Sequence, residues 1–522
     1  MKNGKQERLA CSVFKSNVNK IILTAINAKW IHPSLALRLL KANLGDLENT
    51  CKIIEFALRQ PLSEKLDALL AEKPSILGIS VSIWNHSATI ELLEALENAW
   101  VICEKTSGFF TRPVVVFGGP EVSHLPQNAK IFQFASYVIR GEGEIAFREL
   151  CERLIASQEI IQKTETQFIN AQPVDLNQIK SAYHLYTDED ISKKLIYVEA
   201  SRGCPFACDF CLSAADTEKN KVREFPLDAF LAEMDELVKR ASKVRSVTTF
   251  KFLDRTFNAN KKRALRIIEF FLERIEEYKR KELPFVVHFE IVAQTGFANS
   301  FDAQRLTLKQ NLQDSDESDL IKALARFPPG ALRLEIGIQT LTKETAARIN
   351  RPSNPQKELE VLQLLREKTK AIIHADLIAG LPGENLASFG EGFDRLWLAL
   401  CTENDDKIQE KKAGFEIQLG ILKQLPGTPL SRHNKEWQMR YNPLPPYDIE
   451  ETSVISAVDI LRIKNFARFW ELIANRGLIE FPKNKPVFFN FLALSDFLYS
   501  RFGRNWGIDK KELMEAIINM DK

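Results

Sequence analysis

The 522-residue sequence lacks any apolar run approaching the roughly 20 residues that a membrane-spanning helix needs. Its first residues lead into charged side chains without the apolar core of a secretion signal. Neither sign of charge dominates, because the formal net charge is +2, and this gives no case for a nucleic-acid or anionic-membrane surface. We therefore expect a cytoplasmic protein with neither a nucleic-acid nor a membrane partner.

Repeats and low-complexity tracts are also absent. The hydrophobic content of 45% and the charged content of 27% are those of an ordinary globular protein. At roughly 150 residues each, the chain is long enough for about three or four domains.

Cysteine is scarce, with 8 residues in the chain. Five stand singly, at Cys11, Cys51, Cys103, Cys151 and Cys401. Such scattered thiols favour a reducing compartment over a disulfide framework.

The other three cysteines fall in one short run, C-x3-C-x2-C, at Cys204, Cys208 and Cys211. Three thiolates of one loop suit a [4Fe–4S] cluster whose fourth iron stays open to a small molecule. A structural zinc site is the alternative from spacing alone, but zinc needs four closed ligands, usually in C-x2-C pairs. No partnering pair occurs elsewhere, so the spacing favours an iron–sulfur cluster.

The N-terminal part alternates short apolar runs with helical patterns. The runs predict strands at 20–26, 51–56, 75–81, 114–117 and 137–139, and the patterns predict helices at 34–44, 63–72, 86–103 and 143–156. A βα series of this kind predicts a parallel, doubly wound, flavodoxin-like sheet covered on both faces.

A second βα series follows a polar, aperiodic stretch at 157–192, which we interpret as a linker. Its strands are predicted at 195–200, 246–253, 285–292, 332–338, 371–378 and 414–420. Six units are too few to close an eightfold barrel, so we expect a partial (βα)6 barrel with chemistry at the carboxyl ends of its strands. The cysteine run directly follows the first of these strands.

The strand ends of this second series resemble those of the radical S-adenosylmethionine (SAM) enzymes. G-I-Q-T ends at 340, D-L-I-A-G-L-P-G-E covers 376–384, and L-P-G-T-P covers 425–429. In this order, after the cysteine run, they indicate that superfamily over about 195–430. The resemblance implies that Cys204, Cys208 and Cys211 bind the cluster.

The resemblance also implies a set of SAM-binding residues. Phe210 is placed to pack beside the cluster and the adenine, Glu290 to bond the ribose or the amine, and Gln339 closes the G-I-Q-T strand end. The common Gly-Gly-Glu is missing after the second strand. That strand end resembles a variant F-x-D-D-x-F-x-x-N with Arg255 in place of the second Asp, so Asp254 is expected to hold the amine. A helix-capping role for Asp254 is the alternative.

Two strand ends of the N-terminal part resemble cobalamin-binding domains fused to such barrels. They are the G-G-P turn at Gly118 and Gly119 and the G-E-G-E turn at Gly141. These glycines would let the nucleotide tail of the corrin lie against the backbone, and Ser80 and Asn85 are placed to bond it.

Two residues of the same domain have open roles. Glu142 either takes part in binding or complements the dipole of the helix that it precedes. The ligand motif D-x-H-x-x-G is absent, so His32, in the first loop, is expected to bond the backbone or the tail rather than cobalt.

The resemblance thus implies an N-terminal extension (1–19), a cobalamin-binding domain (20–156), the linker (157–192), a radical SAM barrel (193–430) and a mainly helical C-terminal domain (431–522). It implies a [4Fe–4S] cluster, SAM and cobalamin as cofactors. The cluster would cleave SAM to a 5′-deoxyadenosyl radical, for methylation or oxidative cyclisation at an unactivated carbon. A small-molecule or peptide substrate and an electron donor such as flavodoxin or ferredoxin are the expected partners.

Three alternatives stay open at this point. The first is a radical SAM enzyme that needs no cobalamin, and the second is a non-catalytic cluster or cobalamin sensor, because fold does not prove turnover. The third is a methylthiotransferase, which would carry a second cluster on Cys11, Cys51 and Cys103. Cys51 opens a predicted strand instead of following one, which counts against the third.

Overall fold

The structure, a computed structural model, describes residues 20–106, 112–157, 165–215, 221–244, 246–279, 285–294, 318–401 and 414–519. These residues form two compact units. The first unit runs to Val198 and includes Asp228–Thr248, and the second comprises Glu199–Leu227 and the chain from Thr249 onwards.

The first unit is built on a parallel sheet. Its strands are β1 (Ile21–Asn27), β2 (Cys51–Ala57), β3 (Ile76–Ser80), β4 (Val114–Gly118), β5 (Tyr137–Arg140) and β6 (Gln167–Asn170). The order β2-β1-β3-β4-β5-β6 confirms the flavodoxin-like doubly wound sheet. The sequence did not predict β6, because this four-residue edge strand has two apolar residues and lies in the stretch interpreted as a linker.

Helices of the first unit cover both faces of this sheet. They are Leu35–Ala42, Leu62–Glu72, His86–Thr106, Pro120–His124 and Gly143–Ser157. The unit also contains the helix Asp188–Lys193 and most of the helix Leu227–Ala241. Alternate strand residues enter two separate apolar cores. Ile22 and Leu77 lie in one core, and Leu23 and Val116 lie in the other. Burial on both faces explains why these strands appear in the sequence as continuous apolar runs.

A second six-stranded sheet carries the barrel strands. They are β7 (Leu195–Val198), β10 (Thr248–Phe252), β11 (Phe285–Ile291), β12 (Leu332–Gln339), β13 (Ile372–Ala379) and β14 (Phe415–Ile421), in the order β14-β13-β12-β11-β10-β7. Pairing from β11 to β14 is parallel. The open partial barrel predicted from six βα units is confirmed. A small antiparallel pair, β8 (Ser201–Arg202) and β9 (Arg223–Glu224), flanks the cysteine loop.

The two faces of these barrel strands differ in polarity. On β12, Leu334 and Ile336 are fully buried, whereas Glu335 between them is half-buried. The apolar faces are covered by the helices Lys261–Lys279, Asp319–Ala325, Lys343–Arg348, Pro355–Lys368 and Leu386–Leu400. Because strand side chains alternate with a period of two, the other faces line the lumen of the partial barrel.

The C-terminal region consists mainly of the helices Ala457–Ile473, Phe488–Phe502 and Lys510–Ile518, with a short hairpin of β15 (Arg440–Tyr441) and β16 (Ile449–Glu451). Its aromatic core includes Trp470 and Phe488, whose rings lie 4.9 and 5.6 Å from that of Phe393 in Leu386–Leu400. No helix among the described residues is long and apolar enough to cross a membrane.

Candidate active site

The cysteine loop lies just beyond β7, between β8 and β9. Cys208 is buried, Cys204 and Cys211 are half-buried, and the Cys211 amide donates to the Cys208 carbonyl at 2.9 Å. Gly203 opens the loop with φ of +99°, and a Cβ there would lie 2.6 Å from the Lys221 carbonyl oxygen. The chain therefore needs glycine at the entry to the loop.

Burial raises the pKa of the Cys204 thiol to about 11 and also raises the pKa of Cys208. The positive charge of Arg351 opposes the rise in the pKa of Cys208, since its NH1 lies 3.9 Å from the Cys208 sulfur. The other end of the guanidinium donates to the Gly337 carbonyl at the end of β12. Arg351 thus links the cysteine loop to a strand end of the barrel.

The lumen beside this loop is lined by polar side chains from five successive strands. They are Lys251, His288, Glu290, Glu335, His374, Asp376, Glu416 and Gln418. Lysine, histidine and carboxylate groups on one continuous face can bind charged ligands and transfer protons.

Two ion-paired groups occupy the lumen. Glu335 accepts from Lys251 Nζ at 2.9 Å and lies 3.2 Å from His288 Nε2. The contact with His288, and then the charge of Lys251, lower the pKa of Glu335 to about 2. His374 stacks on His288 with ring centroids 5.5 Å apart, and its Nδ1 lies 3.2 Å from a Glu416 oxygen. The lumen thus holds connected donors and acceptors.

Two lumen carboxylates have raised pKa values. Burial first, and then the charges of Glu335 and Glu290, raise the pKa of Asp376 to about 8. Burial raises the pKa of Glu290 to about 7, against the opposing charge of Arg255, whose NH1 lies 3.9 Å away. A cationic ligand would stabilise the ionised form of both carboxylates.

Asp254 is almost completely buried at the end of β10. Its Oδ2 accepts from the Ala200 amide at 2.9 Å and its Oδ1 from the Ser201 hydroxyl at 2.5 Å. Burial raises its pKa to about 6. Asp254 thus holds the start of the cysteine loop. The sequence analysis expected it to bind the amine of SAM or to cap a helix, and it did not predict these contacts.

The remaining predicted SAM residues lie near the lumen or the cysteine loop. Glu290 faces the lumen, and Phe210 is half-buried in the cysteine loop. Gln339 has a φ of +69°, which is uncommon outside glycine, at an irregularity in the β12–β13 pairing. Its amide folds over Gly337, where any Cβ would collide with it.

The carboxyl edge of the first sheet carries the predicted cobalamin residues. Gly119 has a φ of +106°, and a Cβ there would lie 2.6 Å from the Val81 carbonyl oxygen. A Cβ on Gly141 would lie 2.9 Å from the Ala171 carbonyl oxygen. At Gly118 the nearest atom would be 3.8 Å away. Protein packing therefore requires glycine at Gly119 and Gly141, whereas a Cβ at Gly118 would make only an ordinary van der Waals contact.

The polar residues predicted to hold the tail have local partners. Asn85 donates to the Ile26 and Ser80 carbonyls at 3.0 and 3.1 Å, which uses both of its N–H groups. Glu142 accepts from the Val174 amide at 2.8 Å. His32 Nδ1 lies 2.7 Å from the Tyr197 hydroxyl.

Large apolar side chains are exposed on the loops after β1 and β3. Trp30 is 49% exposed, Ile31 39% and Trp84 52%. These strands are neighbours at the point where the strand order reverses, which is where such sheets bind ligands. An exposed apolar patch here is suited to a large, flat ligand.

Residues 198–396 match the radical SAM superfamily, and residues 21–151 match the B12 binding domain. The chain belongs to the radical SAM enzymes that carry a B12-binding domain. The matched segments cover β10–β13 of the partial barrel and β1–β5 of the doubly wound sheet, which confirms the resemblance seen in the sequence.

Among curated proteins, this B12-binding-domain radical SAM enzyme is similar to an uncharacterized methyltransferase from Pyrococcus horikoshii. The two are 28% identical over 252 residues, which make up 45% of this chain and 51% of the relative. The chain thus spans about half the length of the curated relative that it matches.

Two solved enzymes share its fold. The radical SAM methyltransferase TsrM from Kitasatospora setae, solved with tryptophan and a SAM analogue, aligns with a TM-score of 0.56 at 16% identity, over 85% of this chain and 81% of TsrM. The cobalamin-dependent SAM radical enzyme OxsB, solved with aqua-cobalamin and SAM, aligns with a TM-score of 0.61 at 15% identity, over 97% of this chain and 75% of OxsB.

The cofactors of this B12-binding-domain radical SAM enzyme are a [4Fe–4S] cluster, SAM and cobalamin, and the residues present fit them. Among the described residues, no three His, Cys, Asp or Glu side chains converge on a single metal ion. A cubane cluster takes one thiolate on each iron, so Cys204, Cys208 and Cys211 need not share one point. The lumen carboxylates suit the cationic SAM, and the turn at Gly118, where a Cβ would meet nothing closer than 3.8 Å, suits a corrin tail.

The sequence analysis missed Lys251, Glu335, His374 and Glu416, as well as the Arg351 contact. A signal for the first four was present, since single charged residues interrupt successive apolar strands at alternate positions. For Arg351 the sequence carried no signal, because it follows a helix 143 residues away from Cys208.

Proposed function

We propose that this protein is a cobalamin-dependent radical SAM enzyme with a [4Fe–4S] cluster on Cys204, Cys208 and Cys211. When bound, the cofactors would supply reductive cleavage of SAM to methionine and a 5′-deoxyadenosyl radical, and methyl transfer or oxidative cyclisation at an unactivated carbon. The observation that carries the proposal is the cysteine loop at the carboxyl end of β7, beside a polar lumen, in a chain that also has a B12-binding domain.

In this proposal the lumen residues bind and orient the reactants. Glu290 and Asp376 would accept hydrogen bonds from cationic groups of SAM or of the substrate. Lys251, held by Glu335, would donate to a carboxylate or carbonyl group. The stacked His288–His374 pair, with Glu416 behind it, would carry protons to and from the bound substrate.

Such a lumen favours a small-molecule or short peptide substrate that has both charged and apolar groups. A pocket of about 450 Å³ also opens between the L-P-G-T-P segment and the β15–β16 hairpin, lined in part by Gln424, Asn434 and Tyr441. A low-potential one-electron donor such as flavodoxin or ferredoxin would reduce the cluster.

Anaerobic reconstitution tests the cluster and its use. Wild-type protein is expected to bind about four irons per chain and to release 5′-deoxyadenosine when it is reduced with SAM. Alanine at Cys204, Cys208 or Cys211 should abolish both iron binding and product release. Cys401→Ala is the matched control, since this half-buried cysteine lies at a helix end.

The remaining alternatives give different results in the same assay. Release of 5′-deoxyadenosine by protein that takes up no cobalamin, even with abundant supply, would favour a cobalamin-independent enzyme. Binding of iron, SAM and cobalamin without release would favour a sensor. A second cluster that depends on Cys51 and Cys103 would favour a methylthiotransferase, although Cys51 lies at the amino end of β2 and Cys11 lies outside the described residues.

A further inference from the structure

A buried ion pair joins the cysteine loop to a distant turn of the second unit. Asp209, between Cys208 and Cys211, is 1% exposed. Its Oδ2 lies 2.7 Å from His433 Nε2, at hydrogen-bond distance, and 2.7 Å from Arg432 NH2, with which it forms an ion pair. The loop and the turn are 224 residues apart in the chain.

Both partners belong to one 3₁₀ turn, Pro429–His433, which begins at the last residue of the L-P-G-T-P segment. Leu430 is fully buried, His433 is 6% exposed, and Arg432 also donates to the Arg348 carbonyl at 3.2 Å. A carboxylate buried this deeply is stable only with charged or hydrogen-bonding partners. The turn therefore has to be in place for Asp209 to stay inside.

The same loop is held along its backbone by a second segment. The Asp209 amide donates to the Ile349 carbonyl at 3.0 Å, and Asn350 Nδ2 donates to the Ala207 carbonyl at 3.0 Å. These contacts support one side of the loop, whereas the ion pair holds the residue between the second and third cysteines.

We propose that Asp209 is a positioning residue for the iron–sulfur cluster, held in place by His433 and Arg432. The inference rests on the proposed function, because it assumes that the cluster binds to this loop. Three thiolates hold a cluster firmly only if the loop between them is ordered beforehand. Docking of the Pro429–His433 turn orders this loop. The segment after the last barrel strand therefore affects how firmly the cysteine loop, after the first strand, binds iron.

Three substitutions test this on the full chain. Asp209→Asn keeps the size of the side chain but removes its charge, His433→Gln removes the imidazole, and Arg432→Ala removes a side chain that is 55% exposed. We expect the first two to assemble less iron and to lose it to a ferrous chelator at least about 10-fold faster than wild type, as for other residues that support metal ligands. Arg432→Ala should have a smaller effect in the same direction.

Two further readouts separate positioning from general stability. A merely structural role would lower the Tm of the iron-free and iron-loaded forms equally, whereas positioning predicts a smaller Tm increase on iron loading. The electron paramagnetic resonance spectrum of the reduced cluster should also change in Asp209→Asn. Asp319→Asn, on a side chain that is 70% exposed, is the control and should behave as wild type.

The double variant Asp209→Asn/His433→Gln should be no worse than the worse single variant, because both break one interaction. Fully additive losses, or wild-type iron content and chelator rates in both single variants, would overturn the proposal. If Asp209→Asn does not fold, the iron content and chelator rates of His433→Gln and Arg432→Ala test the proposal in the same way. If wild-type protein takes up no iron, or if Cys204→Ala still takes it up, the proposed function itself would be contradicted.

Discussion

At the residue scale, two neighbouring glycines of one sequence motif have different surroundings. Gly118 and Gly119 both belong to the G-G-P turn that the sequence associates with cobalamin. The structure assigns Gly119 to internal packing, since its Cβ would meet Val81, whereas a Cβ at Gly118 would meet nothing closer than 3.8 Å. Gly118, rather than Gly119, is therefore the position at which to block a ligand.

We predict that Gly118→Val keeps the fold, because a Cβ there would make only a van der Waals contact, 3.8 Å from the Ile139 carbonyl oxygen. It should prevent cobalamin uptake, because the added side chain would stand where the corrin tail is expected to lie. Gly119→Val should itself destabilise the protein by at least about 1 kcal/mol, because a left-handed position and a backbone contact both oppose it. Thermal unfolding and the visible spectrum of bound cobalamin measure the two effects. Normal uptake by Gly118→Val would mean that the tail lies elsewhere.

Arg351 is the second residue whose role comes from its contacts. Its guanidinium lies 3.9 Å from the Cys208 sulfur, and a cation beside a cluster stabilises the reduced form, which carries more negative charge. We predict that Arg351→Gln lowers the reduction potential while three cysteines still bind the cluster. A redox titration followed by electron paramagnetic resonance measures this. Arg326→Gln, at an exposed arginine, should leave the potential unchanged.

At the element scale, the barrel strands alternate between an apolar face and a charged one. Register places Glu290 opposite Glu335 and Glu335 opposite His374, so neighbouring strands bring their charged residues to one level. Each strand alone shows only a few polar residues on this face. The continuous polar lumen arises because strand pairing sets these residues side by side.

We predict that the lumen makes SAM binding depend on pH. The folded pKa values of Asp376, about 8, and Glu290, about 7, lie above ordinary carboxyl values. These two carboxyls therefore make the free energy of unfolding of the ligand-free protein highest at acidic pH. Their stabilising effect is lost as the pH rises towards 8. Ionisation over the same range should strengthen binding of cationic SAM from pH 6 to 9.

Equilibrium dialysis of SAM with iron-loaded protein measures this dependence. Asp376→Asn should flatten the upper part of the profile, whereas Asp319→Asn should not. Affinity that is constant with pH in the wild type would show that these carboxylates do not face SAM.

The edge strand β14 is protected by a side chain. Asn475 Oδ1 accepts from the Ile417 amide at 3.2 Å, and its Nδ2 donates to the Ile417 carbonyl at 3.1 Å, as a neighbouring strand would. Unpaired strand edges promote association between chains.

We predict that Asn475→Leu destabilises the protein by about 1–3 kcal/mol, since it leaves a buried amide and carbonyl without partners. Urea unfolding measures the free energy, and light scattering on heating should show earlier aggregation. Asn490→Leu, at an exposed asparagine of the helix Phe488–Phe502, is the control. Equal stability of both variants would contradict the role of Asn475.

At the scale of the whole molecule, the C-terminal helices belong to the same compact unit as the barrel strands β11–β14. Phe393 and Trp397, on the helix after β13, pack against Trp470 with ring centroids 4.9 and 5.7 Å away. Burial of large aromatic side chains contributes several kcal/mol to stability. The barrel therefore depends on the region that follows it.

We predict that a chain ending at residue 456 is insoluble or unfolds without cooperativity, because it exposes Phe393 and Trp397 and removes Asn475. A chain ending at residue 509 loses only the last helix, which buries Leu513 and Ala516, and should unfold cooperatively at a lower Tm. Solubility and calorimetry distinguish the two. A stable, cooperative chain ending at 456 would show that the barrel folds alone.

Features that depend on local patterns could be predicted from the amino-acid sequence. Apolar runs and helical periodicity predicted the two βα series, and cysteine spacing with strand-end motifs predicted the family. Each of these signals lies within a few residues, so no knowledge of distant contacts was needed.

Contacts between residues that are distant in the chain became visible in the folded structure alone. It paired Asp209 with His433 and Ile417 with Asn475, and it turned Asp254 towards Ala200 and Ser201. It also added β6, whose short polar sequence becomes a strand because β5 offers it an edge. Such contacts depend on strand register and on burial, which bring together side chains that local periodicity leaves unrelated.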